Sequence, residues 1–125
     1  MSSTAVPRKY PRAEIDQPGV LSVRMPSLQE TRRVPVAIRS ISCEGVGLVL
    51  GSERCPLERR ATVTMDFIIE GFHYQIPGLI VWVAPPTAKG PLDVGVKFQL
   101  AAVTNETRQA YARWIVSFLR SKGAA

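Results

Sequence analysis

The sequence has little of the side chains that most enzymes and metal sites require. It contains one histidine, His73, and two cysteines, Cys43 and Cys55, which are not spaced as C-x-x-C. One imidazole and two separated thiols do not form a constellation of metal ligands. The sequence also has no Walker-type phosphate loop and no G-x-S-x-G nucleophile elbow. We therefore expect a protein that is not an enzyme and that uses no metal or other cofactor.

Long hydrophobic runs are also missing. The longest candidate, residues 78–85, has the length of a strand, whereas a membrane-spanning helix needs roughly 20 apolar residues. Residues 1–12 are polar and basic, and no apolar segment typical of a secretory signal follows them. With only two cysteines we expect reduced thiols, and a disulfide between Cys43 and Cys55 is the alternative. These features predict no membrane segment and a cytoplasmic location.

Acidic residues are outnumbered by basic ones. The chain of 125 residues has 16 Lys and Arg against 10 Asp and Glu, a formal net charge of +6. Such a surplus favours an anionic partner, which can be a nucleic acid, a nucleotide, an acidic protein or a lipid headgroup. The length and the hydrophobic content of 46% are typical of one globular domain.

Alternating apolar and polar residues predict about six strands. Glu70-Gly71 is predicted to form a tight turn between two strands of a hairpin, and Pro77-Gly78 a bulge or bend in the second of them. The remaining connections are polar and contain glycine or proline. The predicted strands are residues 19–24, 34–41, 47–50, 61–69, 72–84 (with that interruption) and 93–100.

The pattern changes to a helical period over residues 104–122. One face of this predicted helix carries Tyr111, Trp114, Ile115, Phe118 and Leu119. The predicted fold is therefore mainly β, a small six-stranded antiparallel β-barrel over residues 19–122 with this C-terminal α-helix packed on it. Residues 1–18 contain three prolines and few apolar side chains, and we expect them to form a flexible basic arm.

Two short segments offer groups that suit an anionic ligand. Arg8-Lys9-Tyr10-Pro11-Arg12 holds two arginines four residues apart, and Ser40-Ile41-Ser42-Cys43-Glu44-Gly45 follows the second predicted strand. A guanidinium can hold a phosphate or the O6 and N7 edge of guanine with two hydrogen bonds. A small hydroxyl and a glycine at a turn let the backbone approach a ligand closely. Each segment alone is also typical of a solvated tail or an ordinary turn.

Together, and in this order, the two segments resemble the PilZ family. That family is marked by an R-x-x-x-R arm and, further along the chain, a [D/N]-x-S-x-x-G turn. The arm matches at Arg8 and Arg12, and the turn matches at Ser42 and Gly45. The resemblance spans roughly residues 8–119 and implies a six-stranded antiparallel barrel with a cyclic di-GMP site at one rim.

The resemblance also implies roles for neighbouring residues. Ser40 takes by position the place of the family's Asp or Asn, whose side chain can pair with two guanine donors, whereas a hydroxyl cannot. Losing such a two-pronged contact costs about 1–3 kcal/mol of base discrimination, so Ser40 either weakens or abolishes binding. Lys9 and Arg39 are further candidate contacts through their charge. Trp82 is either another ligand contact or a core residue of the barrel.

The resemblance implies a receptor or adaptor that changes its surface on binding cyclic di-GMP and so regulates a protein partner. Ser40 favours an alternative, a degenerate PilZ-like interaction module that does not bind the nucleotide. The net charge of +6 suggests a third class, a nucleic-acid-binding barrel. We do not expect nucleic acid to be the partner, because such platforms display aromatic side chains and most aromatic residues here fall at apolar positions of the strands and the helix.

Overall fold

Six strands come first in the chain and one α-helix comes last, as the change of the sequence from a two-residue to a helical period predicts. The computed structural model describes residues 12–25, 29–50, 57, 60–84 and 92–123. The elements are β1 (Arg12–Met25), β2 (Glu30–Ser42), β3 (Gly45–Leu50), β4 (Thr62–Ile69), β5 (Phe72–Val83), β6 (Leu92–Phe98), a 3₁₀ turn (Leu100–Ala102) and α1 (Asn105–Ser121).

The strands close into one antiparallel barrel in the order β1-β2-β3-β6-β5-β4. The consecutive strands β1–β2, β2–β3, β4–β5 and β5–β6 pair with each other. The β3–β6 and β1–β4 pairs complete the ring. Alternate residues of every strand point inward, which buries them in a common core. This confirms the predicted fold class. Fully or almost fully buried core residues include Leu21, Ile38, Leu48, Met65, Ile80 and Val94.

The first strand begins earlier than the sequence pattern indicates. β1 starts at Arg12 instead of residue 19, so residues 12–18 are strand and the prediction of a flexible arm is wrong for them. This segment pairs with β2 alone, because β4 pairs only with Val20–Val23. A proline such as Pro18 is tolerated where one side of a strand is unpaired. Residues 1–11 of the predicted arm lie outside the described residues.

The β4–β5 hairpin confirms the predicted tight turn and corrects the predicted interruption. Glu70 and Gly71 both have positive φ, 52° and 82°, as the turn of a two-residue hairpin requires. Pro77 and Gly78 instead lie within a continuous β5, opposite Thr64 and Val63. A Cβ at Gly78 would lie 2.7 Å from the Lys97 carbonyl oxygen, so the glycine allows β5 and β6 to approach closely.

The helix α1 packs on the barrel through the predicted apolar face. Tyr111, Ile115 and Leu119 are buried, and Trp114 and Phe118 are partly buried against the same core. Thr104 caps the start, since its hydroxyl oxygen accepts a hydrogen bond from the Thr107 N–H at 3.2 Å. The cap and the wide apolar face fix how α1 sits at the end of the barrel.

Candidate functional site

An open cavity of about 230 Å³ lies on the outer surface of the barrel. Its walls come from the start of β1, the β2–β3 turn, and the outward faces of β5 and β6. The residues predicted for the ligand site that line it are Arg12, Ser40, Ser42, Gly45 and Trp82. The barrel therefore brings both predicted segments, as far as they are described, to one place.

Strand register explains why these residues meet. Arg12 lies opposite Ser42 across the β1–β2 pair, and Ser40 lies opposite Gly47 across the β2–β3 pair. The β3–β6 pair adds Lys97 opposite Gly45. These positions lie on the outer face of their strands, because neighbouring residues such as Ala13, Ile41 and Val96 point into the core. With β5, which pairs with β6 on its other side, these strands make a surface of five neighbouring strands.

Ser42 shapes the turn through both functions of its hydroxyl group. Its Oγ accepts a hydrogen bond from the Glu44 N–H at 3.2 Å and donates one to the Gly45 carbonyl oxygen at 3.4 Å. The residue is only 8% exposed. The first contact is the hydroxyl version of the local turn that Asx side chains form. Both hydrogen bonds of the Ser42 hydroxyl are therefore made within the turn. Ser42 acts on the cavity mainly by fixing the backbone that lines it.

Two further hydrogen bonds hold the turn from outside. The Tyr111 hydroxyl donates to the Ser42 carbonyl oxygen at 2.6 Å, and the Phe98 N–H donates to the Glu44 carbonyl oxygen at 2.7 Å. A Cβ at Gly45 would collide with the Val96 carbonyl oxygen, so only glycine allows this approach of β3 to β6. The turn is therefore anchored to α1, to β6 and by its own glycine.

Trp82 lies on the outer surface and not in the barrel core. It is 42% exposed and lies opposite Gly95 of β6. The pairing of β5 with β6 shifts register between Ile80 and Trp82, so that Ile80 points inward and Trp82 outward. A Cβ on residue 95 would collide with the indole, so glycine lets the ring lie close to the strand. Its exposed part faces the cavity, where it can stack on a flat ligand.

The charged groups of the cavity are of both signs. Arg12 and Lys97 are exposed cations, and Glu44 is a half-buried acid in the turn. Arg39, a candidate contact, is not among the lining residues. Its Nη1 lies 3.3 Å from Asp16 Oδ1, and both side chains are exposed. Arg8 and Lys9 lie outside the described residues.

Comparisons with known proteins identify the family of the chain. The family model of the PilZ domain matches residues 7–117. The chain belongs to the PilZ domain family. A search of curated proteins gives no match.

Solved structures share the fold of this PilZ domain at low sequence identity. The PilZ domain of YcgR from Escherichia coli, determined with c-di-GMP, has a TM-score of 0.65 and 13% identity, over 91% of this chain and 92% of that one. The MrkH–c-di-GMP complex of K. pneumonia has a TM-score of 0.68 and 13% identity, over 94% of this chain and 54% of the other.

The Bacillus subtilis inhibitor of motility MotI/DgrA gives a TM-score of 0.68 with 11% identity, over 94% of this chain and 53% of that one. The chain thus spans about half the length of MotI/DgrA and of MrkH, and nearly all of the YcgR PilZ domain.

In this PilZ domain, the motif residues that are described differ in what they can offer a ligand. Arg12 presents an exposed guanidinium, whereas Ser42 and Gly45 are buried and define the backbone of the turn. Ser40 is half-buried beside Gly47, where a Cβ would come within 2.5 Å of its hydroxyl oxygen. The site therefore combines a cation, an exposed indole and an anchored turn.

Sequence reasoning missed two charged residues of the cavity. Lys97 lies between the buried Val96 and Phe98, so the alternation of β6 could have placed it on the outer surface. Glu44 was recognised only as part of the turn. What the sequence pattern does not contain is the pairing of β3 with β6, which brings Lys97 to the turn.

The described histidine and most acidic side chains lie away from this cavity. Within the described parts of the chain, no group of three or more His, Cys, Asp or Glu side chains could hold a metal ion. His73 instead lies 3.0 Å from Asp66, at a different surface. Cys43 is a free thiol in the turn, and Cys55 lies outside the described residues. Among the helices described, none is long and apolar enough to cross a membrane.

Proposed function

We propose that this PilZ domain binds cyclic di-GMP in the cavity beside the β2–β3 turn. The observation that carries the proposal is the meeting of Arg12, the Ser42–Gly45 turn and the exposed Trp82 in one cavity. The YcgR and MrkH structures, which share the fold, contain c-di-GMP. An arginine, an aromatic face and backbone at a turn suit a ligand with two phosphates and two guanines.

Each group has a distinct part in this proposal. The Arg12 guanidinium holds a phosphate or the O6 and N7 edge of a guanine through paired hydrogen bonds. The Trp82 indole stacks on a base, since it is exposed along the cavity. Lys97 adds a second cation at the turn. Arg8, four residues before Arg12 in the same motif, supplies a further guanidinium.

The proposed output is a change in the surface that a protein partner recognises. Arg12 is the first residue of β1, so a ligand bound to its guanidinium covers the outer surface beside the β2–β3 turn. A ligand shifts the equilibrium between two surface conformations of the domain only by the difference between its affinities for them. The domain then acts as a receptor or adaptor rather than as an enzyme.

The test is isothermal titration with cyclic di-GMP, with GTP as the control ligand. Arg12→Ala should lower the affinity about ten- to hundredfold, because hydrogen bonds to charged groups are worth about 1.5–3 kcal/mol. Arg39→Ala is the matched control, since Arg39 is also an exposed arginine near β1 but pairs with Asp16. Equal losses in both variants would count against the cavity as the binding site.

Ser40 favours a second candidate, a PilZ-like interaction module that does not bind nucleotide. A hydroxyl provides one acceptor oxygen where a carboxylate provides two. A titration of folded protein that shows no binding, with ligand up to the hundreds-of-micromolar range, would support this candidate. Such a result would mean that any binding free energy is weaker than about −5 kcal/mol. A partner whose binding to the domain is unchanged by cyclic di-GMP would support it further.

A further inference from the structure

The cavity needs a group that distinguishes guanine from other bases. The Watson–Crick edge of guanine presents two neighbouring donors, the N1–H and the N2 amino group. A carboxylate has two oxygens side by side and pairs with both, whereas a hydroxyl has one oxygen. Ser40 therefore leaves one of these donors without a partner. Another acceptor of the cavity must pair with the edge if guanine is to be preferred.

Glu44 is the one acidic residue among the described residues that line the cavity. Its backbone is fixed on both sides, since its N–H donates to Ser42 Oγ and its carbonyl oxygen accepts from the Phe98 N–H. The side chain is neither fully exposed nor buried. The anchored backbone fixes where the Glu44 side chain begins, so only the side-chain torsions have to be ordered when the carboxylate meets a base.

The charges around Glu44 give the ligand an orientation. Arg12 and Lys97 line the same cavity and attract phosphates, whereas the carboxylate repels them. A guanine edge is uncharged and carries only donors at N1 and N2. The base edge therefore suits the acid, and the phosphates suit the cations.

We infer that Glu44, and not Ser40, recognises guanine in this domain by accepting hydrogen bonds from its N1–H and N2 amino groups. The inference rests on the proposed binding of cyclic di-GMP and adds the residue that determines base specificity. Glu14 offers a matched comparison, because it lies opposite Ser40 across the β1–β2 pair but does not line the cavity.

The experiment titrates the protein with cyclic di-GMP and with cyclic di-IMP, which lacks the N2 amino group. The wild-type protein should prefer cyclic di-GMP by about tenfold or more, because cyclic di-IMP keeps the N1–H but loses one hydrogen bond to a charged group, worth about 1.5–3 kcal/mol. Glu44→Ala should bind both ligands with equal, weaker affinity, and Glu44→Gln, which keeps one acceptor oxygen, should keep at most part of the preference. Glu14→Ala should keep the preference, and Ser40→Asp added to Glu44→Ala should restore it.

The outcomes separate this inference from the proposed function. Binding by the wild-type protein, with the same preference retained in Glu44→Ala, would overturn the role of Glu44 and leave the receptor intact. Equal affinity of the wild-type protein for the two ligands would also overturn it. No binding of either ligand by folded wild-type protein would overturn the proposed function and the inference together. Thermal unfolding of each variant shows that the compared proteins are folded.

Discussion

The Tyr111 hydroxyl donates a 2.6 Å hydrogen bond to the carbonyl oxygen of Ser42, which joins α1 to the turn of the cavity. Tyr111 is 1% exposed. Its ring meets Phe98 and Tyr74 edge-on, at centroid distances of 5.5 and 5.7 Å. The position of the turn is therefore coupled to the packing of the helix against the end of the barrel.

Tyr111→Phe should destabilise the domain while keeping the ring in place. The change leaves the Ser42 carbonyl oxygen without this donor in a buried place, and such a loss costs about 1–3 kcal/mol. Denaturant unfolding should show this decrease in the free energy of unfolding, and the titration should show weaker cyclic di-GMP binding. Full stability in the variant would mean that the bond does not hold the turn.

The burial of the Tyr111 hydroxyl predicts a dependence of stability on alkaline pH. Burial, with smaller effects of Cys43 and Tyr74, raises the pKa of Tyr111 well above its usual 10.0. The folded state thus holds the proton more tightly than the unfolded state, so the stabilisation is complete below pH 10 and is lost as pH rises beyond it. Unfolding measured from pH 8 to 11 should show a smaller loss for Tyr111→Phe than for the wild-type protein.

Trp82→Ala should weaken binding with little effect on stability. The indole is 42% exposed, so its removal costs little core packing, whereas stacking on a base is worth about 1–3 kcal/mol. Trp82→Phe retains an aromatic face and should keep part of the affinity. Titrations and thermal unfolding of both variants provide the check. A large loss of stability with unchanged affinity would assign Trp82 a structural role instead.

Ser40→Asp should strengthen cyclic di-GMP binding in the Glu44→Ala variant, where the guanine edge has lost its acceptor. The carboxylate supplies the second acceptor that the hydroxyl lacks, and a two-pronged base contact is worth about 1–3 kcal/mol. Ser40→Ala in the same background is the matched control and should bind no better than Glu44→Ala alone. A weaker Ser40→Asp variant would show that the space beside Gly47 does not admit the longer side chain.

Local patterns in the sequence predicted most of the fold. The alternation in β2 was confirmed: Val34, Val36 and Ile38 are buried, as a two-residue period predicts. The apolar face of α1 was confirmed as well. The start of β1 was not predicted. Ala13 is buried in a polar sequence only because the strand pairs with β2 and closes the barrel.

The candidate site depended on longer-range pairing. The motif placed Arg12 and the turn at Ser42 together, and the described geometry agrees with that placement. The outward position of Trp82 results from a register shift, which an alternating sequence does not reveal. Lys97 reaches the turn through the β3–β6 pair, between strands far apart in the chain.

The most direct test of the account is NMR of ¹⁵N-labelled protein during a titration with cyclic di-GMP. The cavity contains Gly45, Gly47 and Gly95, whose amides report on it, whereas Gly71 and Gly123 lie in turns elsewhere. We predict that the signals of the first three glycines shift with saturation and that those of Gly71 and Gly123 do not. Unchanged cavity signals, or shifts confined to the other two glycines, would contradict cyclic di-GMP binding at this site.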